Sequence, residues 1–389
     1  MNRKEFIKMC GLLGLSLPLP TVFSACDDED MPTPSTPSQK VIIIGAGAAG
    51  LTAGYQLRQQ GIDFEILEAS STYGGRMKRI RGFADFPIPM GAEWLHVGRG
   101  VFDEIVNDSS IPVEIATTPY DPNVDYGLYE GYQISVEEVG FTIDQKFINA
   151  TWFDFFEQYI LPSVKDKIRY NTVVNAIDYA GEEIKISTAD QEFSANQVIV
   201  AVPVKMLQNK TINFSPELPS DKLEAIDKVT VWDGYKAFIE FSEKFYPTFV
   251  AYEITPASAG QKLYYDAAYG QNTNQHILGL FTVGTGTQPY AQLSGDDLIN
   301  YMLNELDELF DGKASASYIK HTFQNWNAEP YINGAYVYDD ENWRRVRTLG
   351  ESVNDKLFFA GDAYTEGEDW SSVHTAARSA IRAVRAIAG

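Results

Sequence analysis

Three glycines, Gly45, Gly47 and Gly50, have the G-x-G-x-x-G spacing that can hold a pyrophosphate against the protein backbone. At this spacing Gly45 makes a tight turn, Gly47 lets the phosphates approach the main chain, and Gly50 lets a helix pack closely on a strand. The free N–H groups at the start of that helix attract phosphate. Glu68 lies where a carboxylate can accept hydrogen bonds from a ribose diol, so the pattern indicates a dinucleotide without a 2′-phosphate.

The elements that must position this turn can be identified on both sides of it. Residues 41–44 are a β-branched run that predicts a buried parallel strand, and residues 51–60 have apolar side chains at helical spacing, ended by Gly61. Residues 63–67 predict a second strand, with Glu68 at its carboxyl end. A strand, a helix and a second strand in this order predict a Rossmann-like α/β fold with a parallel sheet.

The composition of the chain excludes several classes of protein. With 389 residues, 44% of them hydrophobic, the chain is long enough for two domains. The net charge of −22 would repel phosphate backbones, which argues against nucleic-acid binding. Both cysteines, Cys10 and Cys26, lie near the N-terminus, and the four histidines have no ligand spacing. We therefore expect neither a disulfide framework nor a metal site in the body of the protein.

The N-terminal segment has the features of an export signal. Residues 1–25 have a basic start, a short apolar centre and small residues directly before Cys26. This pattern predicts a signal peptide in which Cys26 is lipidated, as in a bacterial lipoprotein; the alternative is an ordinary signal with a chance cysteine. Residues 26–39 are acidic and rich in proline, serine and threonine, which predicts a tether. We expect an exported protein that only its lipid holds at a bacterial membrane, in the periplasm or at the cell surface.

Two further motifs point to a family. Gly75 and Arg76 lie in the run Tyr-Gly-Gly-Arg-Met, and residues 91–96 read Gly-Ala-Glu-Trp-Leu-His. With the glycine turn, these runs resemble the flavin-containing amine oxidases, which include monoamine oxidases, polyamine oxidases and lysine demethylases. The resemblance runs from Lys40 to the C-terminus and implies FAD as the cofactor. Ala335 stands where monoamine oxidases carry the cysteine bonded to FAD, so the resemblance implies a noncovalent flavin.

The resemblance also implies which residues contact FAD. Arg76 would lie at the pyrophosphate, and Asp362 would bind a ribose or ribityl hydroxyl. Val174, in a strand predicted over 171–177, would contact adenine through its backbone. Ser372 begins the last helix, whose N-terminus would face the flavin C2 carbonyl. The expected cofactor-binding residues are Gly45, Gly47, Ala49, Gly50, Glu68, Gly75, Arg76, Gly91, Ala92, Glu93, Trp94, Val174, Trp326, Gly361, Asp362, Ser372 and Val373.

The same resemblance assigns the chemistry to a few side chains. Lys236 lies in a predicted strand, on the same face as Phe238, and matches the family lysine that holds a water at flavin N5 and assists oxygen. Tyr336 matches one aromatic wall of the amine site, and Trp370 is the candidate for the opposite wall. His96 matches a position that lines the substrate channel. The four expected catalytic residues are Lys236, Tyr336, His96 and Trp370.

We predict two interleaved domains. A Rossmann-like FAD-binding domain takes residues 40–100, 168–205 and 322–389, and an α+β substrate-binding domain takes residues 101–167 and 206–321. This is the amine-oxidase arrangement of the FAD fold that is also typical of glutathione reductase. Residues that are far apart in the chain would then meet between the two domains.

Two segments of the predicted substrate domain have patterns of their own. Residues 296–310 place apolar side chains on one stripe, which predicts an amphipathic helix. Residues 152–156 read Trp-Phe-Asp-Phe-Phe and predict a helix that faces the pocket or the core, with the core favoured. The stripe of the first segment consists of Leu298, Met302, Leu306 and Leu309.

The residues and the resemblance together predict an FAD-dependent amine oxidoreductase. It would transfer a hydride from the α-carbon of an amine, polyamines included, to flavin N5, and O2 would reoxidise the flavin and give H2O2. The imine product would hydrolyse to an aldehyde. Three alternatives stay open: an L-amino-acid oxidase, for which Arg99 is only a remote carboxylate partner; a flavin dehydrogenase or desaturase; and a non-catalytic flavin-binding lipoprotein, since Thr375 replaces a glycine of the family.

Overall fold

The computed structural model describes most of the chain after the predicted tether. The predicted signal peptide (1–25) and Cys26 lie outside the described residues, as does the predicted tether (26–39) apart from Gln39. Within the described residues, no helix is both long enough and apolar enough to cross a membrane. The structure describes residues 39–129, 131–138, 140–141, 143–252, 260–338 and 341–389.

Strands and helices are interspersed along the described chain, with several runs of consecutive strands. The strands are β1 (Lys40–Ile44), β2 (Asp63–Leu67), β3 (Arg79–Ile80), β4 (Ile88–Pro89), β5 (Thr117–Pro119), β6 (Tyr126–Tyr129), β7 (Tyr132–Ser135), β8 (Gln145–Phe147), β9 (Ile168–Arg169), β10 (Ala176–Asp178), β11 (Ile184–Ser187), β12 (Glu192–Ala195), β13 (Gln197–Val200), β14 (Asn213–Ser215), β15 (Gly234–Phe241), β16 (Phe249–Ala251), β17 (Gly260–Asp266), β18 (His276–Gly284), β19 (Tyr318–Asn325) and β20 (Leu357–Phe359). The α-helices are α1 (Ala48–Gln59), α2 (Gly100–Val106), α3 (Trp152–Phe155), α4 (Leu161–Val164), α5 (Val204–Gln208), α6 (Ser220–Lys228), α7 (Gln288–Ala291), α8 (Gly295–Phe310), α9 (Lys313–Ser317), α10 (Trp343–Gly350) and α11 (Val373–Ala388). A π-helix spans Phe156–Ile160, and 3₁₀ turns span Lys165–Lys167 and Thr285–Thr287.

A parallel sheet of five strands carries the glycine turn, in the order β20-β13-β1-β2-β9. The predicted strand–helix–strand unit is confirmed as β1, α1 and β2, and α1 begins at Ala48 rather than at residue 51. Helices α1 and α11 pack on one face of this sheet, in a core that includes Ile43, Leu51 and Val384. The chain thus builds the predicted α/β layer around the turn between β1 and α1.

Sterics explain why two of the three glycines in the turn are required. Gly45 has a φ of +105°, and a Cβ atom there would lie 2.8 Å from the carbonyl oxygen of Ala201. A Cβ atom on Gly50 would lie only 1.9 Å from the carbonyl oxygen of Gly45. The bend and the close approach of helix to strand therefore both require the absence of a side chain.

A second sheet of seven strands, mostly antiparallel, has the order β19-β15-β18-β17-β16-β6-β7. Helix α8 packs on one face, where Leu298, Met302 and Leu306 are fully buried, which confirms the predicted amphipathic stripe. All residues of β15 are buried, and alternation along the strand places Lys236 on the same face as Phe238, as predicted. This face of the sheet is the one that can supply side chains to a site.

The aromatic segment at 152–156 lies in the core, as predicted. Trp152, Phe155 and Phe156 are buried in the same hydrophobic cluster as residues of α1. The indole N–H of Trp152 donates to the carbonyl oxygen of Trp94 at 2.9 Å. The segment therefore supports the backbone of the loop after β4.

The predicted strand at 171–177 is wrong for most of its length. Only β10, which begins at Ala176, joins a sheet, and its four strands have the order β12-β11-β10-β14. Asn171 has a φ of +54°, and its N–H donates to the carbonyl oxygen of Ser70 at 3.0 Å. Hydrogen bonds to the loop after β2 therefore outweigh the local preference of residues such as Val174 for extended pairing.

Strand pairing crosses two of the predicted domain boundaries. β14, which comes from the predicted substrate domain, pairs in parallel with β10, which comes from a segment predicted for the FAD domain. β19 begins at Tyr318 and so extends across the boundary predicted between residues 321 and 322. The division into two domains stays a prediction. Strand pairing joins segments that the prediction assigns to different domains.

A buried ion cluster joins the loop after β4 to the seven-stranded sheet. The Glu93 carboxylate accepts from Lys146 of β8 at 2.8 Å through Oε1, and from Lys236 of β15 at 2.7 Å through Oε2. Oε2 also accepts from the hydroxyl of Tyr265 on β17 at 2.7 Å. The side chains of Lys146 and Lys236 are 4% exposed and that of Glu93 is 2% exposed. Charges buried to this extent need a counter-charge and hydrogen-bond partners, which Glu93 and main-chain carbonyl oxygens supply to the two lysines.

Removal of the Glu93 charge should destabilise the fold in a pH-dependent manner. We expect Glu93→Gln to lower the free energy of unfolding by about 3–5 kcal/mol at neutral pH, because two buried ammonium groups lose their counter-charge. Burial favours the protonated acid, but Lys146 and Lys236 outweigh it and lower the pKa of Glu93 from 4.5 to about 2. A carboxyl whose pKa falls on folding stabilises the protein fully above its unfolded pKa and loses this contribution as the pH falls through the folded value.

The difference between wild type and Glu93→Gln should therefore be largest between pH 4.5 and neutral pH and shrink as the pH falls towards 2. Urea unfolding followed by circular dichroism at several pH values measures it. Glu224→Gln is the control, because Glu224 pairs with Lys228 at the surface, where both side chains are more than 60% exposed. Equal behaviour of the two variants at every pH would contradict a stabilising role for the cluster.

Candidate functional site

A single cavity of about 850 Å³ extends from the β1–α1 turn to the wall formed by β15. Every residue that the sequence predicted for catalysis or cofactor binding lines this cavity, except Gly50. Gly50 lies behind the turn, where it packs against the Gly45 carbonyl. The fold therefore brings the predicted residues together around one space, whereas the role of each residue stays a prediction.

The backbone is open to a ligand at the dinucleotide end of the cavity. A Cβ atom on Gly47 would have nothing within 4 Å, and one on Gly75 would lie 3.5 Å from the Cα of Gly47. The Glu68 carboxylate accepts from the N–H of Ala46 at 2.6 Å and from the N–H of Ser70 at 2.8 Å. A carboxylate can accept about four hydrogen bonds, so Glu68 is held in place and can still accept from a diol.

Two residues that the sequence assigned separately to FAD bind each other. Arg76 donates from Nη1 to Oδ2 of Asp362 at 2.9 Å and from Nη2 to Oδ1 at 2.5 Å. Nη1 also donates to the carbonyl oxygen of Ala335 at 2.5 Å. Both side chains line the cavity, so this bidentate pair is part of its wall and orients both groups.

The N-terminus of α11 forms another part of the wall, through Ser372 and Val373. Ser372 is the N-cap, and its side chain accepts from the backbone N–H of Thr375. The Thr375 hydroxyl accepts in return from the Ser372 N–H at 3.1 Å. This capping box explains why threonine can replace the family glycine, and the free N–H groups of a helix of 16 residues carry partial positive charge at the cavity.

The surroundings of Lys236 differ from the expected water-holding arrangement. Its Nζ donates to the carbonyl oxygens of Pro89 at 3.0 Å and Gly91 at 3.1 Å, and to Glu93 Oε2 at 2.7 Å. These protein acceptors match the three donors of an ammonium group, so a water has no donor left to bind. Glu93, which the sequence assigned to the cofactor, instead uses both oxygens within the ion cluster, although it also lines the cavity.

Burial and the second lysine affect the acidity of this ammonium. Desolvation lowers the pKa of Lys236, and repulsion by Lys146 adds to this effect, whereas the Glu93 carboxylate opposes it.

Gly91 shows how tightly the adjacent loop is packed, because a Cβ atom there would lie 1.8 Å from the carbonyl oxygen of Arg76. The position of Lys236 is therefore fixed by its neighbours rather than by solvent.

Aromatic side chains from several elements line the cavity. Tyr336 packs edge-on against Trp232, with ring centroids 6.0 Å apart, and it faces the cavity. Trp370 is anchored by its indole N–H, which donates to the carbonyl oxygen of Tyr338 at 2.9 Å. Phe281 lines the same space from β18, beside Lys236 on β15. The arrangement provides apolar walls for a small ligand.

Two histidine–carboxylate pairs lie on the cavity wall as well. His96 Nδ1 lies 2.9 Å from Oδ1 of Asp144, and His374 Nε2 lies 2.8 Å from Oδ2 of Asp369. Burial raises the pKa of Asp369, but the hydrogen bond and charge of His374 outweigh it and lower the pKa overall. Both pairs thus place an acidic side chain, oriented by a histidine, on the cavity wall.

Sequence reasoning missed several residues of the site. Lys146 lies on a short strand, and nothing in its local sequence shows that the face it occupies is buried. Asp369 precedes His374 by five residues, a spacing that by itself has no chemical meaning. The pairing of these side chains is a result of tertiary packing. Within the described ranges, no group of three histidine, cysteine or acidic residues could hold a metal ion. The missed residues are Asp144, Lys146, Gln261, Tyr265, Phe281, Asp369 and His374.

Comparison with known proteins adds a family to this geometry. The family described as flavin containing amine oxidoreductase matches residues 156–388, and an NAD(P)-binding Rossmann-like domain matches residues 43–107. Probable polyamine oxidase 4 of Arabidopsis thaliana is 24% identical and covers 88% of this chain and 86% of its own. Lysine-specific histone demethylase 1B of Mus musculus is 23% identical over 84% of this chain. The match spans about half (50%) of the length of that relative.

Solved structures of amine oxidases share the fold. Cyclohexylamine oxidase from Brevibacterium oxydans IH-35A has a TM-score of 0.72 at 15% identity, over 90% of this chain and 99% of its own. Wild-type putrescine oxidase bound to putrescine has the same TM-score, 0.72, and the same coverage of the two chains, 90% and 99%. At such low identity these structures establish the fold, which agrees with the predicted amine-oxidase architecture.

The two matched segments hold both ends of the cavity. The glycine turn lies in the Rossmann-like segment, and Lys236, Tyr336 and α11 lie in the amine oxidoreductase segment. The open backbone at Gly47 and the fixed carboxylate of Glu68 fit a flavin dinucleotide. The predicted family is thereby confirmed: the chain belongs to the flavin-containing amine oxidoreductase family, with FAD as its cofactor.

Proposed function

We propose that this protein is an oxidase that removes a hydride from the α-carbon of an amine, with noncovalently bound FAD as the acceptor and O2 as the final oxidant. The observation that carries the proposal is the single cavity that joins the dinucleotide turn to a wall of aromatic and charged side chains. Bound FAD supplies the hydride acceptor, and the protein supplies position, dryness and charge. Ala335 offers no nucleophile, which supports a noncovalent cofactor.

The overall reaction balances with water and oxygen alone. The amine loses a hydride from carbon and a proton from nitrogen and becomes an imine. O2 accepts the two electrons with two protons and becomes H2O2. Water then hydrolyses the imine to an aldehyde and releases ammonia or a shorter amine. No further co-reactant is needed.

The chain's residues have distinct tasks at the dinucleotide end. The backbone at Gly47 and Gly75 would hold the pyrophosphate, and Arg76, oriented by Asp362, would donate its remaining N–H groups to it. Glu68 accepts from the ribose diol, since two backbone N–H groups already orient its carboxylate. The N-terminus of α11 offers its partial positive charge to the flavin ring.

The amine end selects and orients the substrate. Asp144 and Asp369 attract an ammonium group to the cavity, because each is an acid that a histidine holds in place. Tyr336 and Trp370 exclude water and orient the neutral amine. The names of relatives support this substrate class: one is a polyamine oxidase, and one structure contains a putrescine oxidase with putrescine.

The alternative reaction, oxidation of L-amino acids, has less support from the cavity than oxidation of amines. A substrate carboxylate would need a cationic partner, and Arg76 is already paired with Asp362. Arg99, the remote candidate, is absent from the described lining of the cavity. Lys236, the lysine of the described lining, already gives its three donors to protein acceptors.

We further propose that the protein is an exported lipoprotein, with the lipid on Cys26 as its anchor. The pattern of residues 1–26 supports this proposal.

Anaerobic mixing with candidate substrates tests the proposed reaction. Primary amines and polyamines should bleach the flavin absorbance, and readmitted oxygen should restore it with one equivalent of H2O2 per amine oxidised. L-amino acids serve as the matched comparison. Bleaching by amino acids alone would favour an amino-acid oxidase, bleaching without fast reoxidation a dehydrogenase, and no bleaching by any substrate a non-catalytic flavoprotein.

The charge of Lys236 should control reaction with oxygen. Lys236→Met should keep the yellow colour and slow flavin reoxidation by about 10- to 100-fold, because a positive charge that stabilises reduced oxygen is lost. Stopped-flow absorbance of the pre-reduced protein measures this rate. Lys262→Met is the control, since Lys262 pairs with Glu305 on the opposite face of the same sheet. An unchanged oxygen rate would remove Lys236 from the mechanism.

Lipidation at Cys26 should decide where the protein fractionates. In a bacterial host, the full chain should be recovered with membranes, and Cys26→Ser should appear in the soluble exported fraction. Cys10→Ser is the control and should leave the distribution unchanged, since Cys10 lies inside the predicted signal peptide. Membrane recovery of the Cys26→Ser protein would show that another feature anchors it.

A further inference from the structure

We propose that Lys146 and Glu93 are positioning residues of the flavin site, which fix Lys236 in place and keep one net positive charge buried at the cavity wall. The inference rests on the proposed function, in that the charge acts on bound FAD. In this proposal Glu93 and Lys146 act by holding Lys236 in place and by the charge that they carry. Lys146 is absent from the described lining of the cavity, so it can act only through its bond to Glu93 and through the field of its charge.

The first support is the complete pairing of Lys236. Its three donors are taken by the carbonyl oxygens of Pro89 and Gly91 and by Glu93 Oε2. The ammonium therefore cannot turn towards a ligand or a water without the loss of one of these bonds. Lys236 can influence the site through its charge, and that charge is held at a fixed position.

The second support is the charge balance of the cluster. Glu93 and Lys236 alone would form a neutral pair, whose field largely cancels at a distance. Lys146 donates to Glu93 Oε1 at 2.8 Å and to the carbonyl oxygen of Ala267 at 3.1 Å. Two ammonium groups and one carboxylate leave one net positive charge. Without Lys146, the site would lose this charge although Lys236 stayed in place.

The third support is burial. The three charged side chains are 2–4% exposed, so solvent screens them little and their field extends into the cavity. The Lys236 ammonium also lies 5.2 Å from the ring of Phe238 and 5.6 Å from that of Tyr265, in apolar surroundings. A fixed positive charge next to a flavin favours the reduced, anionic form and raises its midpoint potential.

The test is the midpoint potential of the holoenzyme, measured by reduction with a chemical reductant and a reference dye. Lys146→Gln keeps a donor for Glu93 but removes the charge, so we expect a more negative potential and about tenfold slower reoxidation by O2. The content of FAD per protein should stay unchanged. Lys146→Arg keeps the charge and should restore both values to near those of the wild type.

Two controls separate charge from structure. Tyr265→Phe removes one hydrogen bond to Glu93 Oε2 without a change of charge, and the potential should stay near that of the wild type. Lys262→Gln removes an ammonium from the opposite face of the same sheet, and it should also leave the potential unchanged. A merely structural role for Lys146 would lower the unfolding temperature without a shift of the potential.

Each outcome decides the matter. An unchanged potential in Lys146→Gln overturns the inference, and so does an equal shift in Lys146→Arg or in Tyr265→Phe. Since the reductant is chemical, the measurement needs no amine. A protein that binds FAD and shows the expected shift, but oxidises no amine, would refute the proposed reaction and leave the charge cluster supported. If Lys146→Gln does not fold, Lys146→Met takes its place, with the same expected shift.

Discussion

The carboxylate of Glu93 must compensate two ammonium groups that the fold buries, and the wall of the cavity depends on this interaction. Lys146, Lys236 and Tyr265 reach it from three different strands, β8, β15 and β17. Because a buried charge is tolerated only with a counter-charge and full hydrogen bonding, the positions of these four side chains are fixed together. Lys236 also donates to the Gly91 carbonyl, so the same interaction fixes the loop after β4.

At the other end of the cavity, backbone sterics replace charge as the constraint. Gly45 and Gly50 each occupy a place where a Cβ atom would overlap a carbonyl oxygen. The Arg76–Asp362 pair then joins residues 286 positions apart and closes the wall between them. The glycines thus let the main chain of the β1–α1 turn approach a ligand. The Arg76–Asp362 ion pair holds segments that are distant in sequence together in the cavity wall.

Two departures from what the sequence led us to expect have local physical explanations. Thr375 replaces a glycine, yet its hydroxyl and backbone complete a capping box with Ser372, so α11 still presents its N-terminus to the cavity. The segment at 171–177 contains valines typical of a strand, but the φ of Asn171 and its bond to the loop after β2 turn the chain away. Residues of both segments, Val174 and Ser372 among them, still line the cavity.

The sequence by itself determined the strand–helix–strand unit and the amphipathic stripe of α8, and its resemblance to the flavin-containing amine oxidases predicted the family and many of the residues around the cavity. The unit and the stripe depend on local periodicity and on glycine positions, which are steric requirements of the backbone, whereas the site residues were implied by the resemblance. Only the tertiary structure decided that Arg76 pairs with Asp362, and that Glu93 holds Lys146 and Lys236 together. The reason is that pairing of charges depends on distances between strands far apart in the chain, and no local pattern encodes which buried face each strand turns to its neighbours.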